Sequence, residues 1–275
     1  MSKKYLLGVD GGTEGLRAGI FDVFGTPLAF ASTSYPTQFP APSWAEQDPN
    51  DWWYALGKSV RKAISDSGIS VDQIAAMAVD TTCCSVVPLD DSGNPVRPAL
   101  IWMDIRSAEQ AEQMVATEDD ALRINSNGSG PVSAEWMIPK ALWIKQNEPE
   151  NFDRAVTICE YQDYINLHLT GRLGASINNV STRWHCDYSR EGVPKSLLEK
   201  LDLGELAEKW PQDVFRLGEL VGGLTPRAAE HLGLTPDLPV VQGGADAQIG
   251  MIGLGVVKPG NLALITGSSH LHLGL

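Results

Sequence analysis

The 275-residue sequence predicts an α/β fold built on a mixed sheet. Three observations predict it. Apolar stretches of strand character come first and in succession, at residues 5–9, 16–21 and 27–35. A helical stretch and a near-continuous apolar run at 74–79 follow, and the later chain alternates strand, glycine turn, helix and strand. Strands that run together and then alternate with helices belong to the α/β class with a mixed sheet.

Each element has its local reason. Residues 5–9 form a buried strand, residues 16–21 alternate in period two, and the turn at Phe24-Gly25-Thr26 leads into 27–35. Asp48 is a good N-cap with Pro49 at the first helical position, and Trp53, Leu56, Val60 and Ile64 recur at helical spacing, so this helix is expected to cover the sheet. The run 74–79 suits a central strand, 85–89 stays extended, and residues 90–95 form a turn. Another short apolar run, 99–103, precedes Asp104, a candidate cap for a helix holding Ala108, Ala111 and Val115. The middle offers helices around 140–145 and 160–169, a strand at 155–159, and Gly171 as a C-cap. Near the end come a strand at 239–242, a turn at 243–246, a helix at 247–254 and a strand at 261–266. No tandem repeat or low-complexity linker interrupts this order.

A hydrophobic fraction of 43% suffices for a substantial core, and the length allows one large domain or two ordinary ones. The formal charge of −13 opposes nonspecific attraction to nucleic acid or an anionic membrane. The cysteines, Cys83, Cys84, Cys159 and Cys186, lack any CxxC or secreted-scaffold spacing. Neither a signal-like segment nor a membrane-length apolar run stands out. A cytoplasmic protein with a small-molecule ligand, and with no nucleic-acid or membrane partner, is the expectation.

The stretch GVDGGTEGLRAGIFD, residues 8–22, is glycine-rich yet carries Asp10 at its mouth. Its glycines miss the GxGxxG spacing, the following segment alternates like a strand rather than a helix, and no GxxxxGK[ST] exists. What remains is a turn between antiparallel strands, where Gly11, Gly12 and Thr13 could approach phosphoryl oxygens. A carboxylate beside a phosphate is repulsive unless a divalent cation lies between them, and Mg²⁺ is commonly shared between a carboxylate, phosphates and water. The competing reading is a hairpin in which Asp10 satisfies local N–H groups.

A second acid, Asp246 in GGADAQ, follows a strand and starts a helix. It is either a helix cap or a base positioned to take a proton from a hydroxyl that attacks a γ-phosphoryl. The turn Thr266-Gly267-Ser268-Ser269-His270 again follows a strand and offers N–H groups and hydroxyls to phosphates.

Taken together, these three motifs resemble the FGGY family of carbohydrate kinases, within the actin, hexokinase and Hsp70-like superfamily. Order and spacing match over essentially the entire chain. The resemblance implies a ribonuclease H-like or actin-like ATPase fold, a mixed sheet with helices on both faces. It implies ATP and Mg²⁺ as cofactors, with Asp10 holding the metal through water, and Gly11, Gly12, Thr13, Arg17, Gly267, Ser268 and Ser269 around the phosphates. Asp246 would be the base toward a sugar hydroxyl.

By the same resemblance the sugar pocket draws on Thr82, Cys83 and Cys84, on Trp102, Asp104 and Arg106, and on Arg183. The segment 79–88, VDTTCCSVVP, is most similar to the ribulokinase branch. Glycerol kinases carry an Arg-Glu pair where Cys83 and Cys84 stand, and xylulose kinases a Met-His pair. Two small thiols offer neither charge nor strong hydrogen bonding. Arg183 falls about where ribulokinases have a substrate lysine, so a planar fork replaces a point donor. Each pocket residue also has a plain structural reading: the cysteines as small buried residues, Trp102 as core and Asp104 as a cap. His270 and His272 lack a third ligand, and no zinc is assigned.

The implied reaction is ATP-dependent phosphorylation of a sugar or polyol, a ketopentose such as ribulose being favoured. Family members are about twice this long, so residues 1–254 are expected to form the sugar-binding domain and 255–275 to begin the ATP-binding domain. Apolar surface left by a missing lobe would favour association into a homodimer. Two rivals stand beside this reading: a noncatalytic sugar-binding lobe, and a hydrolase or phosphatase of the same fold using Asp10 with a metal.

Overall fold

A computed structural model describes residues 4–125, 131–190, 192–266 and 270–275. The chain opens with β1 (Tyr5–Gly11), β2 (Gly15–Asp22) and β3 (Pro27–Ser34), followed by the short β4 (Glu46–Gln47) and α1 (Pro49–Ser67). Asp48 caps α1 as expected, accepting the Asn50 N–H at 2.9 Å, and Gly68 ends the helix at φ +68°. The buried stripe of α1 keeps the expected Leu56 and Val60 at its centre, with Trp53 and Ile64 partly buried at its edge. Trp52 is the fully buried tryptophan, its ring stacked on Tyr161 at 3.8 Å, while Trp53 stacks on His231.

Then come β5 (Ile74–Thr81), β6 (Val87–Leu89), β7 (Ala99–Leu100), α2 (Ala108–Ala116), α3 (Met137–Asn147), α4 (Pro149–Arg154), β8 (Thr157–Cys159) and α5 (Tyr161–Thr170). Ser107, not Asp104, occupies the N-cap position of α2. The Asp104 carboxylate is instead taken up by Arg106 and by the N–H of Ala45. The last third holds β9 (Ala175–Ser176), α6 (Ile177–Arg183), α7 (Lys195–Lys200), α8 (Leu206–Lys209), β10 (Val214–Phe215), β11 (Leu220–Gly223), α9 (Pro226–Leu232), β12 (Pro239–Ala245), α10 (Asp246–Gly253) and the hairpin β13 (Leu262–Thr266) with β14 (His270–Gly274).

Six strands form the central sheet in the order β11-β12-β5-β1-β2-β3. The β1–β2–β3 and β11–β12 pairs are antiparallel, whereas β5 lies parallel to both β1 and β12. Strand alternation gives this sheet two unlike faces. Leu7, Val9, Leu16, Ala18, Ile20, Met77 and Val79 point into the main core, where α1, α5 and α9 pack. The opposite face carries Gly8, Gly19, Ala76 and Ala78, with Leu6 and Phe30 exposed, and it ends at Asp10 and Asp80.

A second core gathers Val86, Leu100, Met114, Met137, Leu142, Phe152, Ile158, Val180, Trp184, Leu197 and Leu206 from the inserted helices and short strands. The expected turn at 243–246 is absent, because Gly243 and Gly244 continue β12. A Cβ on Gly243 would lie 2.0 Å from the Val79 carbonyl oxygen, so the glycine permits close approach of two strands. Among the described residues no helix is long and apolar enough to cross a membrane.

Candidate active site

The turn between β1 and β2 is fixed from three sides. The Tyr35 hydroxyl donates to the Gly12 carbonyl, Gln47 Nε2 to the Thr13 carbonyl at 2.7 Å, and Trp102 Nε1 to Thr13 Oγ1 at 2.9 Å. Gly11 is glycine for packing, since a Cβ there would meet the Tyr161 ring and hydroxyl at 2.9 Å. Asp10 lies at the end of β1 opposite Arg17, whose Nη1 donates to Asp10 Oδ2 at 2.6 Å. Both side chains are substantially exposed, so this pair can open toward a ligand at little cost.

Asp80 was not singled out from the sequence. It is the Cα partner of Asp10 on the neighbouring parallel strand, and so shares its face of the sheet. Burial first, then the charges of Asp10 and Asp246, push its carboxyl well above the ordinary carboxylate range. A signal was present: Val-Asp followed by a small residue ends both apolar runs, at residues 9–11 and 79–81.

Asp246 is the first residue of α10, directly after β12, and Ala245 occupies the cap position. Its Oδ1 accepts the Ala247 N–H at 2.7 Å. Burial raises its pKa, the Ala247 N–H opposes this, and the charge of Asp10 raises it further. Asp10, Asp80 and Asp246 therefore feel one another's charge at the ends of three neighbouring strands. The strand end bearing Asp246 is held by α6. Asn178 Oδ1 accepts the Ala245 N–H at 2.9 Å, and Ser176 Oγ donates to the Gly243 carbonyl at 2.9 Å. Neither residue was anticipated, because their partners are backbone atoms 67 residues away.

The loop after β5 forms the next wall. The Thr82 N–H donates to the Gly11 carbonyl at 2.9 Å, tying this loop to the turn between β1 and β2. Cys83 is partly exposed, whereas Cys84 is buried with φ +67°. Lys140 Nζ, fully buried, donates to the carbonyls of Cys84 at 2.8 Å and Ile101 at 2.6 Å, bracing two loops at once. Burial lowers its pKa to about 8. Glu160, also buried, is raised to about 7 by desolvation, against Trp184 Nε1, Lys140 and the N–H groups of Cys84 and Ser85. The Arg183 guanidinium lies over the Trp136 ring at 5.5 Å and faces Cys83.

Asp104 and Arg106 are placed differently from the other expected pocket residues. Both are closed to solvent, with Arg106 Nη2 2.7 Å from Asp104 Oδ2 and 2.7 Å from Glu46 Oε1. The same guanidinium packs on Trp44, 3.7 Å from the ring centroid. With Glu46 they form a buried ion cluster closed to solvent. Gly267, Ser268 and Ser269 lie outside the described residues.

The chain as a whole is similar to known proteins. A model of the N-terminal domain of the FGGY family of carbohydrate kinases matches residues 5–253. The chain belongs to the FGGY family of carbohydrate kinases. This FGGY chain is 31% identical over 305 residues to a ribulokinase of Shouchella clausii strain KSM-K16, covering 99% of the chain and 54% of that protein. It is 27% identical over 269 residues to a xylulose kinase of Escherichia coli strain K12, covering 98% and 54%. Among solved structures it resembles a xylulose kinase from Rhodospirillum rubrum with a TM-score of 0.86 and 27% identity, covering 95% of this chain and 54% of that one. The expected actin-like ATPase fold is therefore the fold of this FGGY chain, and it spans about half the length of the curated relatives it matches.

Proposed function

We propose that this chain is the acceptor-binding part of an ATP-dependent kinase that phosphorylates a hydroxyl of a sugar or polyol, with a ketopentose such as ribulose as the favoured acceptor. The observation that carries the reading is the meeting of Asp10, Asp80 and Asp246 at adjoining strand ends. Residues 1–254 form the acceptor-binding domain, and 255–275 begin the nucleotide-binding one. The family match over residues 5–253 and the separate β13–β14 hairpin support that division.

Asp10 suits Mg²⁺, because it offers a hard carboxylate oxygen open to solvent, where a cation keeps much of its water. When bound, the ion would neutralise charge on the ATP phosphates beside Asp10. Thr13, Gly12 and the Arg17 side chain line the turn that would receive those phosphates, and Trp102 holds the Thr13 hydroxyl in place. The Asp246 carboxylate takes the proton of the acceptor hydroxyl as its oxygen attacks the γ-phosphorus in line with the departing ADP oxygen. A raised pKa makes Asp246 a better proton acceptor than an ordinary carboxylate. Thr82, Cys83 and Arg183 stand where the acceptor would be held, and the small Cys83 leaves room that a larger residue would fill.

The test is a panel of ketopentoses, aldopentoses and short polyols with ATP, run on this chain and on a version extended to the relatives' length. Ribulose-dependent ADP formation, lost in Asp246→Asn, supports the reading. ADP formation independent of any acceptor favours a hydrolase, and sugar binding without product in either version favours a noncatalytic lobe.

A further inference from the structure

We infer that Cys83 and Cys84 form a dithiol modification site in the crevice wall, which a hydroperoxide converts to a disulfide between the two adjacent residues. The chemistry stands on the geometry of the pair. Only its consequence, interference with the acceptor, rests on the proposed function.

Four features support the assignment. The two sulfurs are already 3.7 Å apart, with the Cys84 thiol directed at Cys83 Sγ. Closing to a disulfide of about 2.05 Å needs a movement of under 2 Å. The backbone that presents them is held from both sides: Lys140 Nζ binds the Cys84 carbonyl, and the Glu160 carboxylate faces the N–H groups of Cys84 and Ser85. This clamp keeps Cys84 at φ +67°, a conformation few residues other than glycine adopt.

The two thiols are also unlike each other. Cys83 is partly exposed, and its thiol lies below its ordinary value through the hydrogen bond from Cys84, burial opposing and the nearby Arg183 guanidinium assisting. Cys84 is buried and its thiol is pushed upward. Cys83, the thiol that solvent reaches, is the attacking sulfur, and the buried Cys84 beside it is the resolving sulfur. Finally, the remaining cysteines are unsuited. Cys159 and Cys186 are buried, and burial pushes Cys186 up to about 12.

The reaction balances with hydrogen peroxide as the oxidant. The Cys83 thiolate attacks one peroxide oxygen, the O–O bond breaks, and hydroxide leaves to become water, giving a sulfenic acid on Cys83. The Cys84 sulfur then attacks the Cys83 sulfur, an S–S bond forms, and the sulfenic oxygen departs as a second water with the Cys84 thiol proton. Two electrons pass from the sulfur pair to the peroxide. The product spans Cα atoms about 3.8 Å apart, less than the usual disulfide span, so it is strained and easily reduced. Its formation draws Cys83 away from Arg183 and reshapes the wall beside Thr82.

The experiment treats the reduced protein with hydrogen peroxide, then denatures it, alkylates it with iodoacetamide and measures intact mass. With four cysteines in the sequence, the untreated protein takes four alkyl groups. The oxidised protein is expected to take two fewer, with a loss of about 2 Da mapped to the peptide containing residues 83 and 84 and reversed by dithiothreitol. Cys84→Ser is expected to stop at a Cys83 sulfenic acid that dimedone captures, and Cys159→Ser and Cys186→Ser to leave the loss intact. Dimedone competition in the unsubstituted protein reports the same intermediate if Cys84→Ser does not fold. Four alkyl groups after peroxide, a stable sulfinic acid at Cys83, or a disulfide persisting in Cys84→Ser would overturn the assignment. If disulfide formation is seen while acceptor phosphorylation by the extended version is not, the proposed function fails and the dithiol site stands.

Discussion

Asp10 and Asp80 occupy the same rung of two adjacent parallel strands and project from the same face of the sheet. Neighbouring carboxyls in a partly buried place cannot both ionise cheaply, and the cost falls on Asp80, which burial and the charges of Asp10 and Asp246 keep protonated well above the usual range. Its raised pKa places no stability penalty on the fold at acid pH. The penalty grows as pH rises from the unfolded value toward the folded one. Asp80→Asn is therefore expected to resist urea better than the parent at pH 8, with the difference vanishing near pH 3.5. Equal midpoints at pH 8 would contradict this.

In the proposed reaction Asp246 acts in its ionised form, and burial raises its pKa. Activity is expected to fall as pH drops through a value above that of an ordinary aspartate. Asp246→Asn is expected to reduce kcat by about 10²- to 10⁴-fold, the usual contribution of a general base. Because Arg17 lowers the Asp246 pKa, Arg17→Ala is expected to move the carboxyl titration upward in carbon-detected NMR, a readout that needs no turnover.

Asn178 holds the backbone on which Asp246 is mounted. Asn178→Ala leaves the Ala245 N–H without its partner, at a cost of about 1–3 kcal/mol where that group is kept from water. The expected signature is a lower kcat with acceptor KM little changed, alongside the drop in stability. A change confined to KM would place Asn178 on the acceptor instead.

Arg106 is the hub of a buried ion cluster with Asp104 and Glu46. Arg106→Ala leaves the buried Asp104 carboxylate without its cationic partner, while Glu46 keeps Arg97, and is expected to destabilise the fold by about 3–5 kcal/mol, measured by denaturant unfolding. Arg106→Lys restores charge but not the two-pronged contact, and is expected to recover only part of that loss.

Much of the fold was legible because strand and helix periods are local signals. The three opening strands, the Asp48-Pro49 start of α1 and the Gly171 end of α5 lie where the sequence points. What escaped was decided by distant partners. Trp52 is the fully buried tryptophan of α1 because Tyr161, more than a hundred positions later, supplies the stacking surface. Gly243 and Gly244 look like a turn until Val79 and Asn178 are known to press against them. At the site, Asp10 and Asp246 were recognisable from their glycine neighbours. Asp80 became visible only when strand register set it beside Asp10, and Asp104 and Arg106 proved to be bound to each other and to Glu46 of β4.

The two hydrophobic cores divide the labour of the crevice. Asp10 and Asp80 sit on strands whose inner face belongs to the first core, whereas the Trp136 and Arg183 wall comes from helices packed in the second. The hydrogen bond from Trp102 to Thr13 holds the turn beside Asp10. A substitution inside the second core therefore reaches the Trp136 and Arg183 side without passing through the strands that mount Asp10 and Asp80, so the two sides can be altered one at a time.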